Sequence, residues 1–292
     1  MEPKLIAEYL KQFLTTRSLC DWSRFFSVSV WEKIDFCRST AKFNIYETTI
    51  TQDLIYQFWQ LAQHKSIPIY LYQSRNEKAN GNDIEIYRQT SKGYMLFACQ
   101  AKIVNIKGGY PAIPHQVNGT YQIDLLLKYA QRMAGIPLYL LYNHHLDPLE
   151  NSIVESKHKI PIHELGCSLF PAEILKTKYW NTSKKKLSTP KFVDLHEKEI
   201  LLLSALFCPL VNISLFESFE LQPRRLRFYE EGELFDQRSW VDMSPIGKIG
   251  RIDIPAERFK PETTKEAAPT FNPRFRILLP IERRPRGSLF SN

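Results

Sequence analysis

The sequence has 292 residues, of which 43% are hydrophobic and 24% are charged. This length and composition exclude a small disulfide-stapled scaffold and a chain that is disordered throughout, and they allow one large domain or two modest ones. Lys and Arg number 39 against 31 Asp and Glu, which gives a formal net charge of +8. Such mild basicity favours a polyanionic partner such as nucleic acid without requiring one.

The cysteines are scattered and odd in number: Cys20, Cys37, Cys99, Cys167 and Cys208. Because no C-x-x-C pair is present, neither a disulfide framework nor a zinc finger can be read, and a reducing compartment fits best. The first residues mix charged and apolar groups at helical spacing, unlike a signal peptide. The most apolar segment, 200–216, is shorter than the roughly 20 residues of a spanning helix. We therefore expect a cytoplasmic protein without a membrane partner.

Helical and strand patterns alternate through the first half of the chain. The pattern predicts an N-terminal helical segment up to about residue 40, helices at 46–64 and 120–134, and strands at 67–74, 83–89, 93–104 and 136–143. The short TSKG connection between the second and third strands predicts an antiparallel hairpin. A helix crossing from the third strand to the fourth allows that pair to be parallel. We expect an α/β fold with a mixed sheet.

The second half is less regular. Residues 176–191 are rich in lysine and are interpreted as an exposed loop or a link between subdomains. Residues 200–215 are interpreted as a helix, and the Pro- and Arg-rich end of the chain lacks helix or strand periodicity. These patterns divide the chain into an N-terminal helical segment (1–40), an α/β core (41–175), a C-terminal α/β extension (176–260) and a Pro/Arg-rich tail (261–292).

Charged and amide residues interrupt two of the predicted strands. Asp83 and Glu85 share one face of the second strand, and Gln100 and Lys102 share one face of the third, because strand side chains alternate. A tight hairpin makes these two pairs neighbours. A lysine buried in so apolar a strand would be costly unless a carboxylate or a phosphate lay nearby.

Two acids, an amide oxygen and a strand carbonyl, that of Ala101, form a hard oxygen set suited to Mg²⁺ or Mn²⁺. A bound ion can polarise a phosphodiester and lower the pKa of water, while an ammonium group orients that water. The reaction class that this set favours is metal-assisted phosphodiester hydrolysis. Acidic and basic groups on adjacent strands are, however, more often a surface ion-pair ladder.

The order of a helix with Glu47, then GNDIE, then QAK within a strand, then a helix and a strand, resembles the PD-(D/E)xK nuclease superfamily in its Q-x-K variant. Within it, residues 40–175 look like a family of uncharacterised bacterial proteins known only as a domain of unknown function. The resemblance implies a restriction-endonuclease-like αβββαβ core, with N-terminal helices and a C-terminal extension added here. It also implies cleavage of nucleic acid that depends on Mg²⁺ or Mn²⁺.

The same resemblance assigns roles position by position. Asp83 matches the metal-binding aspartate, Gln100 the third-strand ligand and Lys102 the catalytic lysine. Glu47 matches the helical glutamate that binds metal directly or through water, and Glu85 matches an acid of the smaller family that compensates for the neutral amide. Two departures stand out, since no proline precedes Asp83 and an amide replaces the usual third-strand acid. The amide weakens the expected metal affinity.

Further candidates lie outside this set. We expect Gln122, at the start of the second core helix, to approach substrate, and the basic clusters to contact backbone phosphates if they lie on the side of the site; otherwise they are solvated surface. The residues assigned to substrate binding are Gln122, Lys184, Lys185, Arg224 and Arg225. The adjacent His144 and His145 point apart and make a poor joint metal site.

The sequence thus favours an Mg²⁺-dependent endonuclease that acts on DNA rather than RNA. A homodimer would suit double-strand cutting, which needs two sites. The alternative is a catalytically weak nuclease-fold module that binds nucleic acid or a partner protein. A purely structural interaction protein is the third interpretation, and it requires the acidic, amide and lysine side chains to be dispersed in the fold.

Overall fold

A computed structural model describes residues 18–65, 67–74, 83–198, 201–208, 226–234, 240–244 and 273–280. In these ranges six α-helices surround a nine-stranded mixed sheet. The mixed α/β fold expected from the sequence is confirmed. Within the described ranges no helix is long and apolar enough to cross a membrane.

Two helices precede the sheet. Helix α1 spans Leu19–Asp35 and continues into a π-helical turn at Phe36–Thr40. The Ser18 side chain accepts a hydrogen bond from the Asp21 backbone N–H and so caps α1. Helix α2 spans Glu47–Lys65, within one residue of the prediction. Helical residues expected before Ser18 lie outside the described ranges.

The next three strands are β1 at Tyr70–Ser74, β2 at Asp83–Thr90 and β3 at Gly93–Ile103. Strands β2 and β3 pair antiparallel, so the predicted hairpin is confirmed. Gly93 has a φ of 125°, and a Cβ there would lie 2.8 Å from the Tyr229 carbonyl oxygen. Only glycine fits this turn without strain.

A crossover connects β3 to a parallel neighbour. It contains the small hairpin of β4 (Gln116–Val117) and β5 (Thr120–Tyr121), then helix α3 at Gln122–Arg132. Strand β6, Ile136–Tyr142, pairs with β3 in parallel. The predicted parallel pair is therefore confirmed.

The chain then alternates between short elements. They are α4 (Pro148–His158), β7 (Cys167–Pro171), α5 (Ala172–Tyr179), β8 (Trp180–Asn181), β9 (Lys186–Leu187), α6 (Phe192–His196) and β10 (Leu201–Leu202), with 3-10 turns at Ile162–Gly166 and Leu203–Leu206. Strand β7 pairs antiparallel with both β6 and β10.

Two predictions for this region are wrong. Residues 176–191 are not one loop, because they contain the end of α5 and the β8–β9 hairpin, anchored by the buried Leu187. The described part of the predicted 200–215 helix is strand β10 and a 3-10 turn, since pairing with β7 overrides the apolar pattern; the remainder lies outside the described ranges.

Three strands come from late in the sequence: β11 at Phe228–Tyr229, β12 at Trp240–Asp242 and β13 at Phe275–Leu279. Strand β13 lies between β1 and β2, antiparallel to β1 and parallel to β2. The expectation that the end of the chain lacks strand structure is wrong here. All five β13 residues are buried, so neither face of the strand is exposed to solvent. Its sequence therefore lacks the regular alternation of apolar and polar residues that marks a half-exposed strand.

The sheet order is β10-β7-β6-β3-β2-β13-β1-β12, with β11 paired to the start of β3. Helices α1 and α2 pack on one face of the sheet, and α3, α5 and α6 pack on the other. The order differs from the simple αβββαβ arrangement because β13 separates β1 from β2. Strands from before and after residue 176 thus share one sheet.

A disulfide joins Cys20 of α1 to Cys208, 188 residues later, with the Cα atoms 4.6 Å apart. This disulfide is not predicted from the sequence, because spacing alone cannot pair cysteines so far apart. Cys37, Cys99 and Cys167 are buried and lie outside this disulfide. With this bond in place, cysteine usage no longer supports a reducing compartment.

Candidate functional site

The end of β3 and the start of α2 bring two charges together. Lys102 is 6% exposed, and its Nζ lies 3.9 Å from Oε1 of Glu47. Lys102 faces the side of the sheet covered by α3, and Glu47 is the first residue of α2. An exposed ion-pair ladder does not describe this pair, because the lysine is buried. The predicted lysine therefore has the nearby carboxylate that its burial requires.

Gln100 lies two residues before Lys102 on β3 and is 3% exposed. Its Oε1 is buried and has no hydrogen-bond partner among the described residues. A buried amide oxygen without a partner is costly and uncommon in native proteins. The oxygen is consequently a candidate donor to a cation or to a substrate group.

Asp83 occupies the first position of β2, directly opposite Gln100 in the antiparallel register. Directly opposed residues in such a pair have Cβ atoms about 4.5–5.5 Å apart. Ala101 follows one residue beyond this last pair of the β2–β3 ladder. The backbone thus places the predicted aspartate, amide and strand carbonyl at the same end of the hairpin.

These oxygens fit a divalent cation of the Mg²⁺ type. Glu47, Asp83, Gln100 and the Ala101 carbonyl would supply two carboxylates and two neutral oxygens, as hard cations prefer. In the described part of the chain no group of three His, Cys, Asp or Glu could hold a metal. The fit therefore depends on the unpartnered amide of Gln100, and a weakly held ion is expected.

Glu85, two residues after Asp83, has different surroundings. It is fully buried, accepts a hydrogen bond from the Tyr129 hydroxyl at Oε1 and one from Arg276 Nε at Oε2, the latter 2.7 Å long. Burial raises the pKa of the Glu85 carboxyl, and Arg276 acts in the opposite direction. Both oxygens are engaged, so Glu85 leaves the candidate metal set and instead ties β2 to β13.

Gln122 begins α3, and its Oε1 is buried without a hydrogen-bond partner in the described ranges. Because α3 ends just before β6 begins, its start lies at the end of the sheet where the parallel strands β3 and β6 finish. Gln122 is therefore at the same end as Lys102. Asp124 instead pairs with Lys176, with Oδ1 and Nζ 2.6 Å apart.

The lysine-rich turn between β8 and β9 contains the exposed Lys184 and Lys185. This hairpin contacts Tyr121, the residue before α3: the Trp180 ring lies 5.8 Å from the Tyr121 ring, and the Leu187 N–H donates to the Tyr121 hydroxyl at 3.4 Å. The two predicted lysines are thus anchored beside the start of α3. Arg224 and Arg225 lie outside the described residues.

The histidines that follow β6 have separate partners. His144 Nε2 lies 3.2 Å from Asp35 Oδ1, and His145 Nε2 lies 2.5 Å from Glu150 Oε2. Burial lowers the pKa of His144. Each histidine thus faces a carboxylate of its own.

Sequence reasoning missed Arg38, in the π-helical turn after α1. Its guanidinium donates to the carbonyl oxygens of Val104, just past β3, and of His144, just past β6, the second at 3.2 Å. Burial lowers the pKa of Arg38. The usual pKa of an arginine is so high that the guanidinium nevertheless stays charged. Arg38 adds a cation at the end of the sheet that carries Lys102. No local pattern distinguishes it, because its partners are more than 60 residues away.

Comparison with known proteins identifies the family of the chain. No curated protein and no solved structure matches the chain. The model of one family, described as a family of unknown function, matches residues 19–271. The sequence-based expectation of a family without known function is confirmed at that level, and the wider nuclease resemblance stays a prediction. The chain belongs to this family of unknown function, DUF6615.

Proposed function

We propose that the protein is a metal-dependent nuclease that hydrolyses phosphodiester bonds in nucleic acid, with Mg²⁺ or Mn²⁺ as cofactor. The observation that supports this is the buried Lys102 beside Glu47, two residues from the unpartnered oxygen of Gln100. A buried charge and an unsatisfied buried acceptor are expensive for stability, and such groups concentrate at functional sites.

In this proposal Glu47, Asp83, Gln100 and the Ala101 carbonyl hold the cation. When bound, the cation polarises the scissile phosphate and lowers the pKa of a water molecule. Lys102 Nζ donates a hydrogen bond to the attacking water and stabilises the negative charge that develops on the phosphate. Glu47, 3.9 Å away, balances and orients the ammonium group. Arg38 adds positive charge at the same end of the sheet.

DNA rather than RNA as the substrate, and the cytoplasm of a bacterium as the setting, follow the superfamily resemblance. The net charge of +8 and the exposed Lys184 and Lys185 beside the start of α3 suit the phosphate backbone of either nucleic acid. We expect these lysines to contribute affinity without sequence preference, so that binding weakens as salt is raised.

The test is cleavage of supercoiled plasmid, linear duplex and single-stranded DNA and RNA by purified protein with Mg²⁺ or Mn²⁺. Lys102→Ala is expected to lower the rate about 100-fold or more, as loss of a group that acts in the transition state does. The matched control is Lys128→Ala, an exposed lysine of α3. The proposal is contradicted if the wild type cleaves none of these substrates. It is also contradicted if the wild type and Lys102→Ala cleave every substrate at the same rate.

A second candidate is a binding module with a nuclease-like fold and little catalytic activity. The neutral Gln100 favours it, as does the lack of a three-acid or histidine cluster within the described ranges. This candidate predicts nucleic-acid binding that persists in excess chelator and is unchanged by Asp83→Ala. The nuclease predicts instead that Asp83→Ala abolishes the dependence of cleavage on added metal.

A further inference from the structure

A surface pocket of about 280 Å³ lies between α2, β1 and β13. Its lining includes Gln52, Tyr56, Trp59, Gln73, Arg274 and Phe275. None of these residues was assigned a role from the sequence. This volume is just below the range for sites that hold drug-sized molecules, which begins at roughly 300 Å³, so the pocket suits a smaller group.

One wall of the pocket is a pair of aromatic side chains on α2. The Tyr56 and Trp59 rings are nearly parallel, with an interplanar angle of 8° and centroids 6.4 Å apart. Tyr56 is 56% exposed, and Trp59 is partly exposed. Large aromatic rings left open to solvent on a helix offer flat surfaces on which a planar ligand can stack.

The other groups in the pocket are polar and can recognise the edge of such a ligand. Gln52 and Gln73 contribute amides, each with donors and an acceptor. The Arg274 guanidinium lies 5.1 Å from the Phe275 ring centroid, and its buried Nε has no hydrogen-bond partner in the described part of the chain. Amide and guanidinium groups are the side chains that pair with base edges, and Arg also binds phosphate.

Helix α2 carries residues of both the pocket and the candidate site, and strand β13, at the pocket, pairs with β2, at the candidate site. Gln52 follows Glu47 by five residues on α2, a separation of about 7.5 Å along the helix axis. Phe275 of β13 pairs with Ile84 of β2 in parallel register. Arg274 and Asp83 each lie one residue before this pair in their own segments, so their backbones are neighbours. Asp83 is in turn opposite Gln100. A row of backbone positions across the sheet thus connects Arg274 to the predicted metal ligands.

We infer that this pocket binds one unpaired nucleobase of the strand whose phosphodiester lies at the candidate site. The inference rests on the proposed nuclease function and narrows its substrate class to single-stranded or locally unpaired nucleic acid. A base in a duplex is stacked and paired, so it reaches a side pocket only after leaving the helix. Trp59 and Tyr56 provide the stacking surface, and Arg274 with the two amides contacts the base edge or the adjoining phosphate.

The first test measures binding without cleavage. Single-stranded deoxyoligonucleotide is titrated into the protein in excess chelator, and tryptophan fluorescence and anisotropy of a labelled oligonucleotide are recorded. The oligonucleotide is expected to quench the tryptophan fluorescence of the wild type, and the Trp59→Phe variant is expected to lose most of that quenching. Trp59→Ala is expected to bind the single strand about tenfold more weakly, in keeping with the loss of one stacked base. Leu149→Ala, at an exposed apolar position on α4, is the matched control and leaves affinity unchanged.

The second test separates this inference from the nuclease proposal. Lys102→Ala is expected to lose cleavage and to keep the Trp59 quenching. If no substrate is cleaved but the oligonucleotide still quenches Trp59, the inference of a base-binding pocket is supported and the nuclease proposal is contradicted. If the wild type cleaves, and Trp59→Ala and Trp59→Phe match it on both single strands and duplex, the nuclease stands and the base pocket is refuted.

A protein occupant of the same surface gives a different result. The oligonucleotide would then leave Trp59 fluorescence unchanged, and Trp59→Ala would alter the sedimentation behaviour of the protein instead. That outcome overturns the inference. Trp59→Phe, which keeps a ring of similar shape, guards against loss of folding in the alanine variant and is expected to retain at least part of the affinity.

Discussion

Within the described ranges, two pairs of opposite charge lie on the β2–β3 hairpin or its neighbours, and they differ in burial and in the groups around them. Glu85 and Arg276 form the first pair: both carboxylate oxygens accept hydrogen bonds, and the guanidinium also donates to the Leu234 carbonyl and lies 4.2 Å from the Trp240 ring centroid. Glu47 and Lys102 form the second, 3.9 Å apart, with Lys102 two residues beyond the Asp83–Gln100 pair at the open end of the same hairpin.

The difference between the pairs assigns their roles. A buried ion pair whose hydrogen bonds are complete fixes the arrangement of its elements, here β2 against β13. The pair at Lys102 is longer, and beside it the Gln100 oxygen has no partner within the described ranges. The Gln100 oxygen therefore has hydrogen-bonding capacity left for a ligand. From composition and charge alone, Glu85 and Glu47 are equivalent acids. Their contacts in the structure distinguish them.

The largest expected effect breaks the satisfied pair. Arg276→Met leaves the Glu85 carboxylate buried without its cation and is expected to lower the free energy of unfolding by about 3–5 kcal/mol. Urea denaturation followed by circular dichroism measures this change. The double variant Arg276→Met with Glu85→Gln is expected to recover most of the loss, because no buried charge remains. A single variant as stable as the wild type would contradict the structural role.

The next effect concerns another satisfied network, in which His196 Nδ1 donates to the Phe192 carbonyl and Nε2 accepts from the Ser168 hydroxyl. Burial lowers the pKa of His196 to about 4. Below about pH 6.5 the unfolded chain binds a proton that the folded state excludes, so this stability is complete above pH 6.5 and is lost as pH falls toward 4. The loss amounts to about 3 kcal/mol.

Urea denaturation at pH 7 and pH 4.5 measures this pH dependence. His196→Gln is expected to show a shallower decline in stability between the two pH values than the wild type does. The control is His64→Gln, at an exposed position of α2, which keeps the wild-type decline. Equal slopes for His196→Gln and the wild type would show that His196 does not exclude the proton.

A smaller stability effect is expected at Lys102. Lys102→Met should change the free energy of unfolding by no more than about 1 kcal/mol, because Glu47 is 15% exposed and lies at a helix start, where the dipole stabilises a carboxylate. Urea denaturation gives the stability, and the plasmid assay gives the activity. Loss of 3 kcal/mol or more would make this pair structural, like Glu85–Arg276.

The smallest effect has the opposite sign. Gln100→Leu removes a buried oxygen without a partner and is expected to stabilise the fold by about 1 kcal/mol while abolishing metal-dependent cleavage. Gln57→Leu is the matched comparison, because Gln57 accepts from Trp22 Nε1 and donates to Asp53, and its loss is expected to cost about 1–2 kcal/mol. Calorimetric melting compares the two. Destabilisation by Gln100→Leu would mean that the oxygen is already satisfied.

Local patterns predicted the parts of the fold whose partners are near in sequence. The helical stripe after Glu47, the β2–β3 hairpin and the β3–α3–β6 crossover each follow from periodicity and short turns. Gln100 and Lys102 were found because polar residues interrupt an apolar strand. The role of Glu85 was not predictable, since it depends on Arg276, 191 residues later. Arg38 and the Tyr56–Trp59 pair had no distinguishing pattern either.

The position of β13 has a consequence for how the chain is made. Strand β2 gains its partner on one side only when β13 has been synthesised, about 190 residues after Ile84. Until then the nascent chain exposes one edge of β2, next to the aspartate of the candidate site, and Glu85 has no guanidinium. Pairing over such a sequence distance is slow. We expect the sheet to close after translation of β13, so that the candidate site is complete only once that last strand has been made.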